Sequence, residues 1–229
     1  MRTIPCNPNA QPEVKEVLEY LSQIEGKGIL TGQHTQTMEQ PEIWRIRKIT
    51  GKLPAICGFE LLSYSPNIRR ETADEECLKE VDENTGTLEK AWEWAELFRF
   101  MFRYYTRQHH LDNLIWVWNS PLPEGYVGDE YCDIISRDLY TEPHVHGAYE
   151  EQYEELLKVT KQDKGAALGE IGILPDPEAL VEKKVPWLWY MTWSFDFALN
   201  EEFNSDTALK KLYESSYAID LEGYKRRQR

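Results

Sequence analysis

The run Leu168-Gly-Glu170-Ile-Gly172 places a single carboxylate between two glycines at the end of a strand-like stretch. Such a glutamate can act as a nucleophile or a general base. Glycoside hydrolysis needs two carboxylates flanking the scissile bond, about 5 to 5.5 Å apart for retention and about 6.5 to 9.5 Å for inversion. The competing reading is that Glu170 caps the turn that follows it. Aromatic residues lie near the same kind of strand end: Trp116, Trp118, Tyr140, Trp187, Trp189, Tyr190 and Trp193. Sugar rings stack their C–H faces on exposed aromatic planes, but alternate residues of a strand must point into the core, so only aromatics at strand ends count toward a sugar site.

Other chemistries find little support. His144-Val-His146, with His34, is the one imidazole set that could approach a metal, and its spacing is not distinctive. No metal or cofactor is expected. His109 and His110 suit the end of a helix, where cations meet the dipole. There is no phosphate-cradling glycine loop and no G-x-S-x-G elbow, so nucleotide and serine-hydrolase chemistry drop away.

The elements that must position these residues follow from periodicity. Residues 12–24 carry Val14, Val17, Leu18, Leu21 and Ile24 at helical spacing behind a proline. A glycine-bounded strand at 28–32 leads into His34. A helix at 41–49 and a strand at 53–62 ending near Glu60 repeat the plan. Further strands are read at 114–118 before Asn119, at 132–137 before Asp138 and Tyr140, at 166–169 before Glu170, and at 187–192 before Trp193. Helices are read around 149–161 and 206–216. Strands alternating with helices predict a parallel α/β sheet, in which ligands bind at the carboxyl ends of the strands. His34, Glu60, Asn119, Asp138, Tyr140, Glu170, Trp193 and Asp196 all fall there.

Composition bounds the rest. The 40 acidic residues exceed the 26 basic ones, giving a net charge of −14, which argues against a nucleic-acid partner. The terminal run Lys225, Arg226, Arg227, Arg229 reads as a solvated tail. With 41% hydrophobic residues, 8 Trp and 13 Tyr, the chain has material for a core. No stretch is long and apolar enough for a membrane span, and the first twelve residues lack the apolar stretch of a signal peptide. The chain therefore reads as soluble, either cytoplasmic or already processed for secretion. Cys6, Cys57, Cys77 and Cys132 show no C-x-x-C spacing and read as reduced thiols.

Six motifs in order, Gly28-Ile-Leu-Thr-Gly-Gln-His34, Thr50-Gly-Lys-Leu-Pro-Ala-Ile56, Asn113-Leu-Ile-Trp-Val-Trp118, Tyr131-Cys-Asp-Ile134, Gly169-Glu-Ile-Gly172 and Trp193, resemble the strand motifs of the glycoside hydrolase family 26 β-mannanases. The likeness covers nearly the whole chain. It implies a (β/α)₈ TIM-barrel type fold and retaining cleavage of β-1,4-mannan or a related polysaccharide. By resemblance Glu170 matches the nucleophile, Tyr140 the tyrosine beside it, and Trp193 the stacking tryptophan; Trp118, Asn119, His34 and Asp138 fall at candidate substrate-binding positions.

The family's acid/base glutamate follows a histidine in an Arg-Pro-x-His-Glu context, and this chain has neither a His-Glu nor an Arg-Pro dipeptide. The third-strand motif is also missing. The expectation is one domain over 1–229, an incomplete barrel of about six parallel strands. Its third and fourth units would be absent, and a long helix over 87–108 would be fused across the gap. Glu60 is then the best-placed substitute acid/base. Exposed barrel edges would favour a homodimer or a domain swap. The alternatives are a non-catalytic carbohydrate binder and a truncated or engineered relic.

Overall fold

The computed structural model of the protein describes residues 1–59, 73, 75–83, 112–119, 126, 128–129 and 132–227. Helix α1 (Pro12–Ile24) starts on a proline, which is suited to the first helical turn, and buries Val14, Leu18, Leu21 and Ile24 along one stripe. The chain then runs through β1 (Ile29–Leu30), β2 (Gly32–Thr35), α2 (Pro41–Thr50), β3 (Ile56–Phe59) and α3 (Glu75–Glu83). It continues as β4 (Val117–Asn119), β5 (Ile134–Leu139), α4 (Glu150–Leu157), β6 (Gly165–Ile171), α5 (Pro177–Lys183) and β7 (Tyr190–Thr192). The last elements are α6 (Asp196–Leu199), α7 (Asp206–Glu214), β8 (Ala218–Ile219) and α8 (Leu221–Arg227).

Six strands form one sheet in the order β3-β2-β7-β6-β5-β4, with every pair parallel. Within it β2 lies beside β7, so that a strand from the start of the chain meets one from near its end, and among the described residues β3 and β4 are the two outer strands. This is an incomplete barrel of TIM type with six strands, as the sequence predicts. Glu60 and the helix expected over 87–108 lie outside the described residues.

The first strand differs from its expected form. β1 pairs with β8, and after Thr31 the run changes partners, so that β2 pairs with β3 and β7. Thr31 makes the change possible by bonding on both sides: its N–H donates to Ile219 O at 3.0 Å, and its carbonyl accepts from Ala55 and Ile56. Of the terminal basic run, Lys225, Arg226 and Arg227 are exposed and form the last turn of α8, where cations meet the carbonyl end of the helix.

The two faces of the sheet bury different sets of side chains. Ile135, Ala166, Leu168, Ile171 and Tyr190 pack with Ile46 of α2, Leu156 of α4, Leu180 of α5 and Leu209, Leu212 and Tyr213 of α7. Ile134, Ala167, Leu188, Leu30 and Ile219 pack instead with Val14, Leu18, Leu21 and Ile24 of α1. α1 thus fills the inner face toward the strand N-termini, leaving the C-terminal ends of that face for polar groups. Burying each of these large side chains contributes about 1.5 to 3 kcal/mol. Cys6, Cys57 and Cys132 are free thiols.

Candidate active site

The polar cluster stands at the C-terminal ends of β4, β5 and β6. Strand alternation in β5 sends Ile135 and Leu139 to the helix layer, where Arg137 bonds Glu155 of α4 at 2.7 Å. Ser136, Asp138 and, just beyond the strand, Tyr140 therefore face inward. Ser136 Oγ donates to Asn119 Oδ1 at 2.7 Å, and Asn119 Nδ2 donates to Asp138 Oδ1 at 2.7 Å. The amide of Asn119 is fixed at both ends, with its donor turned to the carboxylate.

Glu170 reaches the same face through a β-bulge. Leu168 is the Cα partner of Arg137, yet Glu170, two residues on, is the partner of Asp138, so Gly169 is an extra residue; β7 shows the same slip between Leu168 and Ile171. Leu168 and Ile171 both belong to the helix-side core. Regular alternation would turn Glu170 toward the helices with Leu168, and the inserted residue turns it inward instead. Only glycine fits at 169, because a Cβ there would lie 2.8 Å from Asn119 Cγ and 3.0 Å from Ser136 Oγ. A glycine inside a strand pattern was the available signal for this bulge.

Tyr140 donates its phenolic hydrogen to Glu170 Oε1. Burial, then the hydrogen bond to Glu170 and the charges of Glu170 and Asp138, push the phenol well above the ordinary tyrosine range. Tyr140 therefore stays a donor across the whole working pH range. Its ring lies 5.2 Å from that of Phe197, edge to face.

A second group stands on β2 and β7. The His34 and Trp193 rings lie 5.1 Å apart, tilted by 56°. Trp193 is pinned by its backbone: its N–H donates to Ile171 O at 2.9 Å, and its carbonyl accepts from buried Gln33 Nε2 at 3.2 Å. Trp118 is not brought to either group. Its neighbour Asn119 takes the inward position, so Trp118 packs toward the helix-side core with Tyr126 at 5.1 Å, edge to face. Asp196 opens α6 and is exposed, accepting from Asn200 at 3.0 Å.

His146 Nδ1 is 2.8 Å from Leu174 O. Among the described residues no group of three or more His, Cys, Asp or Glu could hold a metal, and no helix is long and apolar enough to cross a membrane. Sequence reasoning missed Ser136, Phe197 and Asn204. Each acts through tertiary contacts that leave no local pattern.

An incomplete parallel barrel with a carboxylate bulged inward at its strand C-termini defines an α/β protein of TIM-barrel type. The chain belongs to glycosyl hydrolase family 26, whose family model matches residues 6–95 and 81–222. It is 24% identical to a mannan endo-1,4-beta-mannosidase of Thermothelomyces thermophilus over 306 aligned positions, covering 94% of this chain and 62% of that one. The chain thus spans less than two thirds of that relative's length. Its fold is similar to a solved β-(1,4)-mannanase of Podospora anserina, at 23% identity and a TM-score of 0.73, covering 97% of this chain and 69% of that one. It is also similar to a β-mannanase from a symbiotic protist of the termite Reticulitermes speratus, solved with a gluco-manno-oligosaccharide, at 19% identity and a TM-score of 0.67, covering 97% and 98%.

Proposed function

We propose that this chain acts on β-1,4-mannan or a related mixed polysaccharide with Glu170 as a retaining nucleophile, and that its turnover is impaired because the segment carrying the general acid/base is absent. The observation that carries the reading is the bulge at Gly169, which turns Glu170 inward against the phenol of Tyr140. A nucleophilic carboxylate must be ionised and fixed in direction, and a hydrogen-bond donor such as the Tyr140 phenol stabilises the charged form and holds the group in place. His34 and Trp193 offer a stacking platform on the neighbouring strands, and Asn119 with Asp138 can bond sugar hydroxyls.

Three observations support the absence of an internal segment. Among the described residues the outermost strands of the sheet are β3 and β4, which flank residues 60–116. The family model is matched in two pieces that meet over residues 81–95. Of the 306 positions aligned with the Thermothelomyces enzyme, those filled by this chain are 94% of its 229 residues, so many aligned positions of the relative have no counterpart here. Loss of a general acid costs about 10² to 10⁴ in rate, most severely when the leaving group is a sugar hydroxyl.

The test is reducing-sugar release from β-mannan beside dinitrophenolate release from 2,4-dinitrophenyl β-mannobioside, with Glu170→Gln as control. Dinitrophenolate leaves without protonation. Release from the aryl glycoside but negligible release from mannan, both lost in Glu170→Gln, is the expected result. Efficient mannan hydrolysis would show that a second carboxylate completes the site, with Glu60 the next to substitute. Inactivity toward both, with oligosaccharide still bound, would mean a carbohydrate-binding barrel.

A further inference from the structure

Asn204 lies between α6 and α7 and is almost fully buried. Its Nδ2 donates to Gly172 O at 2.7 Å and to Phe197 O at 2.9 Å, and its Oδ1 accepts from Leu174 N at 2.8 Å. All three bonds go to backbone, and they join two segments that are separate in sequence: the loop after β6, two residues beyond Glu170, and helix α6 after β7.

Those two segments hold the ring of Tyr140. Phe197 packs edge to face on Tyr140 and against Phe203 at 4.3 Å. Gly172 lies so close that a Cβ there would come 2.8 Å from both Tyr140 Cδ1 and Phe197 Cε1. The phenol ring is therefore held between the backbone at 172 and the ring at 197, and its hydroxyl meets Glu170. Among the described residues, Asp138 and Glu170 are the charged groups that act on this phenol.

We propose that Asn204 is a positioning residue for the Tyr140–Glu170 pair, acting through the backbones of Gly172 and Phe197 to fix the phenol ring where it can donate to the carboxylate. The inference rests on the reading of Glu170 as nucleophile only for its catalytic consequence. The geometry it concerns can be measured whether or not the protein turns over.

The test uses the full chain with 3-fluorotyrosine at position 140, followed by ¹⁹F NMR, in the parent, in Asn204→Asp and in Phe197→Leu. Asn204→Asp keeps the acceptor for Leu174 and removes both donated bonds. Phe197→Leu loosens the ring from the other side and serves if the first variant fails to fold. In folded variants the fluorotyrosine midpoint should fall by about one pH unit or more toward that of the free amino acid, as expected when a bond to a charged acceptor is lost. The kcat/KM for 2,4-dinitrophenyl β-mannobioside, which reports attack by Glu170 rather than breakdown of the intermediate, should fall about tenfold while binding of unreactive oligosaccharide is little changed, because the loss falls on the nucleophile's geometry rather than on sugar binding. An unchanged ¹⁹F midpoint in folded variants overturns the proposal. If the parent itself releases no dinitrophenolate, the nucleophile reading fails while the midpoint still decides the positioning role.

Discussion

The phenol of Tyr140 is joined to Glu170 across two strands whose register is out of step by one residue. Tyr140 lies two positions beyond Asp138, and Asp138 is the Cα partner of Glu170, so tyrosine and glutamate meet diagonally at the end of the β5–β6 ladder. The bulge sets the inward direction of the carboxylate, and the phenol donates to its Oε1.

Replacing Tyr140 with phenylalanine removes one donor and little volume. A carboxylate that loses a hydrogen bond to its charged form becomes protonated at higher pH. The acid limb of the pH profile of kcat/KM for an activated β-mannoside should therefore move to higher pH, and kcat/KM on its plateau should fall about tenfold. The pH dependence of dinitrophenolate release at substrate concentrations well below KM checks both.

Gly169→Ala tests the bulge itself. Its Cβ would press on the amide of Asn119, which is already fixed by Ser136 and Asp138. Overpacking of this kind costs about 1 to 3 kcal/mol, and relief by shifting Asn119 would also displace Asp138. Urea denaturation should show the lost stability, and the aryl glycoside should show activity falling by more than the unfolded fraction accounts for.

Asp176 offers a prediction with a definite pH sign. It caps α5, accepting from Glu178 N at 2.8 Å and Ala179 N at 3.1 Å, and it pairs with Lys211 at 2.8 Å. Partial burial pulls its pKa up, but the bonds from Lys211 and from these two amides outweigh it, leaving the carboxyl below its ordinary value. A depressed folded-state pKa gives stability that is fully present above the unfolded value of about 3.9 and is lost as pH falls through the folded one. Asp176→Ala should cost about 1 kcal/mol near pH 7, while Asp176→Asn, which still caps, should cost less. The gap between Asp176→Ala and the parent should narrow in urea melts taken below pH 4.

The parallel sheet, its six strands and the face that carries the site were all legible, because each strand is a short apolar run bounded by glycines or polar residues and followed by a helical pattern. The strand ends shifted by a few residues, since hydrogen-bond register depends on neighbours rather than on composition; β4 runs Val117–Asn119 where 114–118 was expected. Asn119, Asp138, Tyr140 and Glu170 were singled out by their place at strand C-termini, and the structure pairs Asn119 with Asp138 and Tyr140 with Glu170 there. Trp118 shows the limit of that rule: one step along a strand reverses the face, and position alone did not tell whether 118 or 119 points inward. Asn204 was invisible, because nothing in Glu-Phe-Asn-Ser indicates that its amide reaches the backbone 32 residues earlier at Gly172.

If Glu170 is the nucleophile we propose and its acid/base partner is absent, a second consequence follows in the breakdown of the covalent intermediate. After dinitrophenolate departs with its electron pair, the sugar C1 is bonded to the Glu170 carboxylate, and water must attack with no base to take its proton. A small anion needs no such base. Azide should attack C1, expel the Glu170 carboxylate and give a β-mannobiosyl azide with net retention, so its addition should raise steady-state dinitrophenolate release by about 10-fold or more, within the span that base assistance typically supplies. The product can be identified by NMR from its anomeric proton. Release that is indifferent to azide, or an α-linked azide, would mean that a second carboxylate still serves the site or that the reaction does not pass through Glu170.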